Sequence, residues 1–138
     1  MLPGPDAQRA RGQLLVYWIL WGSILSGLIV IYAFLGRGPV KPGVMSDLPI
    51  NLGGLIPLVV SIVIRWLVLP RSTGLMRAFP LFIVGLAMSE ACGLMGIFLG
   101  GPYRDHLFVL GLLGVVSYAP FFARGLAEPK ATGFIPNN

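Results

Sequence analysis

Four long apolar runs, separated by short segments rich in proline and glycine, constrain this 138-residue chain more than any other feature. They cover about residues 13–35 (QLLVYWILWGSILSGLIVIYAFL), 50–69 (INLGGLIPLVVSIVIRWLVL), 79–100, and 107–123 (LFVLGLLGVVSYAPFFA). Crossing ~30 Å of hydrocarbon takes ~20 residues of α-helix at ~1.5 Å per residue, and each run reaches or approaches that length. The runs are continuous rather than alternating, which argues against membrane strands, and a helix satisfies its own backbone in lipid. The expected fold is all-α: an integral membrane protein with four transmembrane helices in a compact up-down bundle. Composition agrees. The chain is 56% hydrophobic and only 11% charged, where a soluble domain carries about a quarter charged residues.

The runs divide the chain into a cytoplasmic N-terminal segment (1–12), a four-helix membrane domain (13–127) and a polar C-terminal tail (128–138). Arg9 and Arg11 precede the first run as they would in a secretory signal. That run is about twice a normal signal core and ends without a small-x-small cleavage site, so it reads as a retained span. The connections at 36–49, 70–80 and 101–106 are rich in helix breakers. The second of these, PRSTGLMRAFP, reads as a tight turn bounded by its prolines. Arg9, Arg11, Arg65, Arg71, Arg77, Arg124 and Lys130 fall on one side, and Arg37, Lys41 and Arg104 on the other. This asymmetry places both termini in the cytoplasm, most simply at a bacterial inner membrane. Trp18, Trp21, Trp66, Tyr17 and Tyr103 lie near span ends and read as interface anchors.

Several functions fall away. The net charge of +5 belongs to loops beside a membrane; no basic-aromatic interleaving points to nucleic acid. One cysteine, Cys92, allows no intrachain disulfide. One histidine, His106, and scattered carboxylates suggest no metal site. No phosphate loop, Ser/His/Asp set or zinc motif is present. The chain is expected not to be an enzyme and to need no cofactor. Its partners are the lipid bilayer and other membrane subunits, or copies of itself.

Chemistry concentrates in the third run. Glu90 is the twelfth of its 22 residues and the only acid in any run. An ionised carboxylate near the bilayer centre costs about 2.5 kcal/mol or more, and this cost falls on the charged form alone. One reading is therefore a proton-binding site. The other is a protonated glutamate that hydrogen-bonds across helices and holds the bundle together, with Ser61, Ser89, Ser117 and Tyr118 as candidate partners at similar depth. Arg65 sits ~6 Å from the end of its run and Glu90 ~16 Å into the next. The ~10 Å offset argues against an ion pair and for an Arg65 side chain that snorkels to the interface.

The surrounding GLAMSEACGLMG, residues 85–96, resembles the carboxylate-bearing outer helix of the F-type ATP synthase c subunit. That family's A-x-S-E-A-x-G-L pattern falls on Ala87, Ser89, Glu90, Ala91, Gly93 and Leu94. The resemblance implies that Glu90 matches the ion-carrying carboxylate, and that the turn at 70–80 matches the family's basic cytoplasmic turn. Sodium-carrying members supply a glutamine from the inner helix; the second run has none, so the resemblance implies a proton. The family hairpin has two spans and a run of alternating glycines. This chain has four spans and only Gly53 and Gly54 in the second, so the reading is a c-like hairpin in another role rather than a rotor ring.

Gly85, Ser89 and Gly93 recur every fourth residue, as do Cys92, Gly96 and Gly100. Such rows let helices approach closely, either within this chain or against a partner. Two functions remain open. The first is a subunit of a larger membrane complex whose Glu90 binds a proton. The second is an accessory or assembly subunit whose Glu90 is a structural hydrogen-bonding group.

Overall fold

The computed structural model describes residues 5–39 and 48–127. Lys41 and the polar tail at 128–138 lie outside the described residues. Helix α1 (Pro5–Leu35) opens on a proline at its first position, where the missing N–H has no helical partner to lose. The second span is composite. A single turn, α2 (Leu48–Asn51), is followed by α3 (Leu55–Val63), one widened π turn (Ile64–Val68) and a closing 3-10 turn (Leu69–Arg71). The third span is α4 (Leu75–Leu99). A 3-10 turn at Gly101–Tyr103 then leads into α5 (Arg104–Ser117) and α6 (Phe121–Ala127). The described residues contain no strand, and the chain is all-α. Four segments are long and apolar enough to cross a membrane: Gln8–Leu35, Leu48–Arg71, Leu75–Leu99 and Gly101–Arg124.

The sequence boundaries shift in three places. The third span starts four residues earlier than expected, so Pro80 lies inside the helix and the turn shrinks to residues 72–74. Pro80 sits in the second turn, where only the carbonyl of Met76 loses its partner; Met76 is 73% exposed at the helix end. Glu90 thus becomes the sixteenth of 25 residues, ~22 Å from Leu75 and ~14 Å from Leu99. The second span breaks between α2 and α3 at Gly53 and Gly54, which lie so close to α4 that a Cβ on either would come within 3.2 Å of Met95 Cε or the Cys92 carbonyl. The fourth span is broken at 118–120 rather than merely kinked, with Pro120 just ahead of α6. At ~21 Å, α5 alone is too short to cross hydrocarbon, and α6 completes the length.

Helix α4 is the hub, and α1, α3 and α5 all pack on it. Its α5 side is built for contact at backbone distance. A Cβ on Gly111 of α5 would collide with the backbone of Gly93, and one on Gly96 would come within 2.6 Å of Leu107 Cβ. The α1 side is built from large side chains: Tyr17, Leu28, Phe82, Leu86 and Ile97 form one apolar cluster with Phe108 and Val115. Tyr17 is 1% exposed and donates from its hydroxyl to the Leu75 carbonyl at 2.8 Å. The Trp21 indole N–H donates to the Val115 carbonyl at 2.8 Å. Both therefore serve the interior rather than the interface, whereas Trp66, 65% exposed, keeps a position suited to anchoring.

The two ends of the bundle are closed differently. At one, the Tyr32 hydroxyl donates to Asp105 at 3.0 Å, Arg104 pairs with Asp105 at 3.3 Å and also donates to the Gly38 carbonyl. Gly101 there adopts φ +48 beside the Asn51 amide, a left-handed conformation in which a side chain would be strained. The other end gathers the start of α1, the end of the second span, the start of α4 and the end of α6.

Candidate functional site

The hydroxyl residues picked out around Glu90 do come together, but with one another. Ser61 of α3 and Ser89 of α4 are 1% and 0% exposed, with their Oγ atoms 2.6 Å apart. The Ser61 Oγ also lies 2.8 Å from the Gly85 carbonyl, to which it donates. A serine has one hydroxyl proton, so Ser61 spends its own on Gly85 and Ser89 must be the donor in the Ser61–Ser89 contact. Tyr118, 0% exposed, donates from its phenol to the Ser61 carbonyl at 2.6 Å. Its ring occupies the space a Cβ on Gly85 would need. The result is a polar clasp joining α3, α4 and the α5–α6 break, with every hydroxyl proton committed.

Ser117 is exposed and donates to the Gly114 carbonyl one turn back in its own helix at 2.7 Å. The expected bonds from Ser61, Ser89, Ser117 and Tyr118 to Glu90 are thus replaced by bonds among themselves and to backbone carbonyls. The reason is angular. Successive residues of a helix point ~100° apart. Ser89 faces α3 and α5, so Glu90, ~100° round the helix, points away from that contact. Glu90 is partly exposed and has no hydrogen-bond partner among the described residues.

The small-residue rows have their partners inside the chain. Gly85 receives Tyr118, Ser89 lies under Gly114, Gly93 takes both Leu28 and Gly111, and Gly96 takes Leu107. Gly100 caps α4, donating its N–H to the Gly96 carbonyl at 3.0 Å, and leaves room for Arg104. Cys92 is buried, with its Sγ 3.6 Å from the Leu107 carbonyl. Thus Gly85, Ser89, Gly93, Gly96 and Gly100 are packing residues of this bundle.

Arg65 is where the sequence reading missed most. It lies in the π turn, and its Nε donates to the carbonyl of Ser117, the last residue of α5, at 2.7 Å. A guanidinium there satisfies an orphan carbonyl and meets the negative end of the helix dipole. It also lies 5.3 Å from the Phe122 ring centroid and 6.0 Å from that of Tyr118. Arg65 therefore holds the break in span four instead of simply reaching for water. Its avoidance of Glu90 agrees with the expected offset; among the described residues the only ion pair is Arg104–Asp105. The signal available in sequence was an arginine inside an apolar run, which called for a partner that the pattern did not identify. His106 is exposed beside Asp105.

No protein-family profile matches the chain, and no curated protein or solved structure matches it.

Proposed function

We propose that this protein is a subunit of a larger proton-coupled membrane complex, in which Glu90 takes up and releases a proton within the membrane. The observation that carries the reading is the separation of Glu90 from the hydroxyl clasp. A glutamate whose task was to join helices would occupy the place that Ser61, Ser89 and Tyr118 fill. Glu90 instead lies partly exposed at the edge of α4 with its hydrogen-bonding capacity unspent among the described residues. A carboxyl so placed exchanges its proton with whatever polar group a neighbouring subunit brings. One such group makes no pathway, so entry and exit belong to the partner subunits. The resemblance of residues 85–96 to the c-subunit helix supports the same role. The packing rows of α4 are filled within the chain, so partners meet the bundle on other faces. In this reading the arginine-rich end lies in the cytoplasm of a bacterial cell, following the positive-inside rule.

The test is carbodiimide labelling of the membrane-embedded protein from about pH 5 to about pH 9, the range reached by buried carboxyls. Peptide mass spectrometry would locate the adduct. Labelling confined to Glu90 that fades through one midpoint as pH rises is the expected result. An unlabelled Glu90 in intact protein at every pH would return it to the role of a sealed structural group.

A further inference from the structure

We propose that the arginine-rich end of the bundle carries a binding site for the phosphodiester head of an anionic phospholipid, centred on Arg65. Arg65 lies six residues before Arg71, the last residue of the second span, so it sits ~9 Å inside that end. A charge at that depth is costly unless something compensates it. The Ser117 carbonyl engages only Nε. The two terminal amino groups of the fork have no hydrogen-bond partner among the described residues. Neither is sealed off, because the one fully buried, unpartnered side-chain polar atom among those residues is Ser72 Oγ.

The fork borders a cavity of about 190 Å³ whose other walls are Leu69, Pro70, Phe122 and Leu126. One cation with four apolar walls is an amphipathic match. The guanidinium offers paired donors to phosphate oxygens, and the walls accept the start of an acyl chain. A free anion would gain nothing from those walls. The surroundings favour negative charge: Arg9, Arg11, Arg71, Arg77 and Arg124 share this end and outnumber Asp6 in the first turn of α1. Arg71 and Arg124 are exposed, and basic pockets between helices at such an end suit anionic headgroups. The π turn that presents Arg65 is a departure from regular helix of the sort that recurs at functional sites.

The experiment uses the full chain in nanodiscs of phosphatidylcholine mixed with phosphatidylglycerol. Native mass spectrometry reads which lipid stays bound on release. The wild type is expected to retain phosphatidylglycerol preferentially. Arg65→Gln should lower the ratio of phosphatidylglycerol to phosphatidylcholine about fivefold, the factor for one basic side chain at an anionic surface. Should that variant fail to fold, two others carry the test. Leu126→Trp fills the cavity without touching the charge and should lower the ratio similarly. Arg65→Lys keeps the charge without the fork and should lower it about twofold. The proposal is overturned if the wild type shows no preference, or if Leu126→Trp and Arg65→Lys both match it. It is also overturned if inorganic phosphate displaces the retained lipid, which would make a free anion the occupant.

Discussion

Ser89 and Glu90 are neighbours in sequence and in depth, yet they belong to different regions of the molecule. Ser89 lies in the seam between α4, α3 and α5, where backbones nearly touch and each hydroxyl proton has a carbonyl or hydroxyl to go to. Glu90 lies off that seam and is partly exposed, on a helix whose contact with α1 is built largely from large side chains. Close contact requires small residues, and small polar residues then bond across it at little steric cost. A contact between large side chains is held by apolar packing instead. The difference shows why the strongest polar residue of the span is not the one that holds the span in place.

Predictions that strain this contrast can be ordered by size. Gly111→Leu drives a side chain into the backbone of Gly93 and should cost about 3 kcal/mol or more, read as reversible unfolding in detergent or bicelles. Tyr118→Phe leaves the Ser61 carbonyl without its phenol donor and should cost about 1–2 kcal/mol. Ser89→Ala removes one hydroxyl whose acceptor, Ser61 Oγ, keeps its own bond to Gly85, and should cost about 0.6 kcal/mol. Glu90→Gln should change stability by less than about 0.5 kcal/mol, since the clasp does not include it. The same substitution should abolish carbodiimide labelling and the proton-linked activity of the host complex. A loss of stability in Glu90→Gln as large as that of Tyr118→Phe would erase the distinction between the two regions.

The fold was largely legible, because continuous apolarity over four membrane lengths leaves an α-helix few alternatives. Its irregularities were less so. Pro80 reads as a boundary by its usual effect in water-soluble helices, yet near the end of a membrane helix one lost hydrogen bond is tolerable, so α4 begins at Leu75. The π turn at Ile64–Val68, which carries the Arg65 that meets the end of α5, has no pattern of its own in IRWLV. Tyr17 and Trp21 sit where interface anchors are common, and only three-dimensional packing turns their polar atoms toward the Leu75 and Val115 carbonyls.

The candidate site was legible in its members and not in its wiring. Ser61, Ser89 and Tyr118 could be named from depth alone. Their partner could not, because depth is set by sequence position while direction depends on which face of each helix turns inward. Two residues ~100° apart on one turn look equivalent in a hydropathy reading. The glycines gave a better clue: Gly85 and Gly93 mark the inward face on either side of Ser89, and Glu90 falls off that line.

Helix α1 is the least enclosed of the four spans, with 11% of its most apolar stretch buried against 44% for α4. It is also the first to be made. Its indole donor at Trp21 waits for an acceptor at Val115, 94 residues downstream. At a synthesis rate of about 5–20 residues per second the wait is roughly 5–20 s. Before it ends, the Leu75 carbonyl that takes the Tyr17 hydroxyl has already been made, 58 residues downstream of Tyr17. The oldest of the four spans is therefore secured in stages, first against α4 and then against α5.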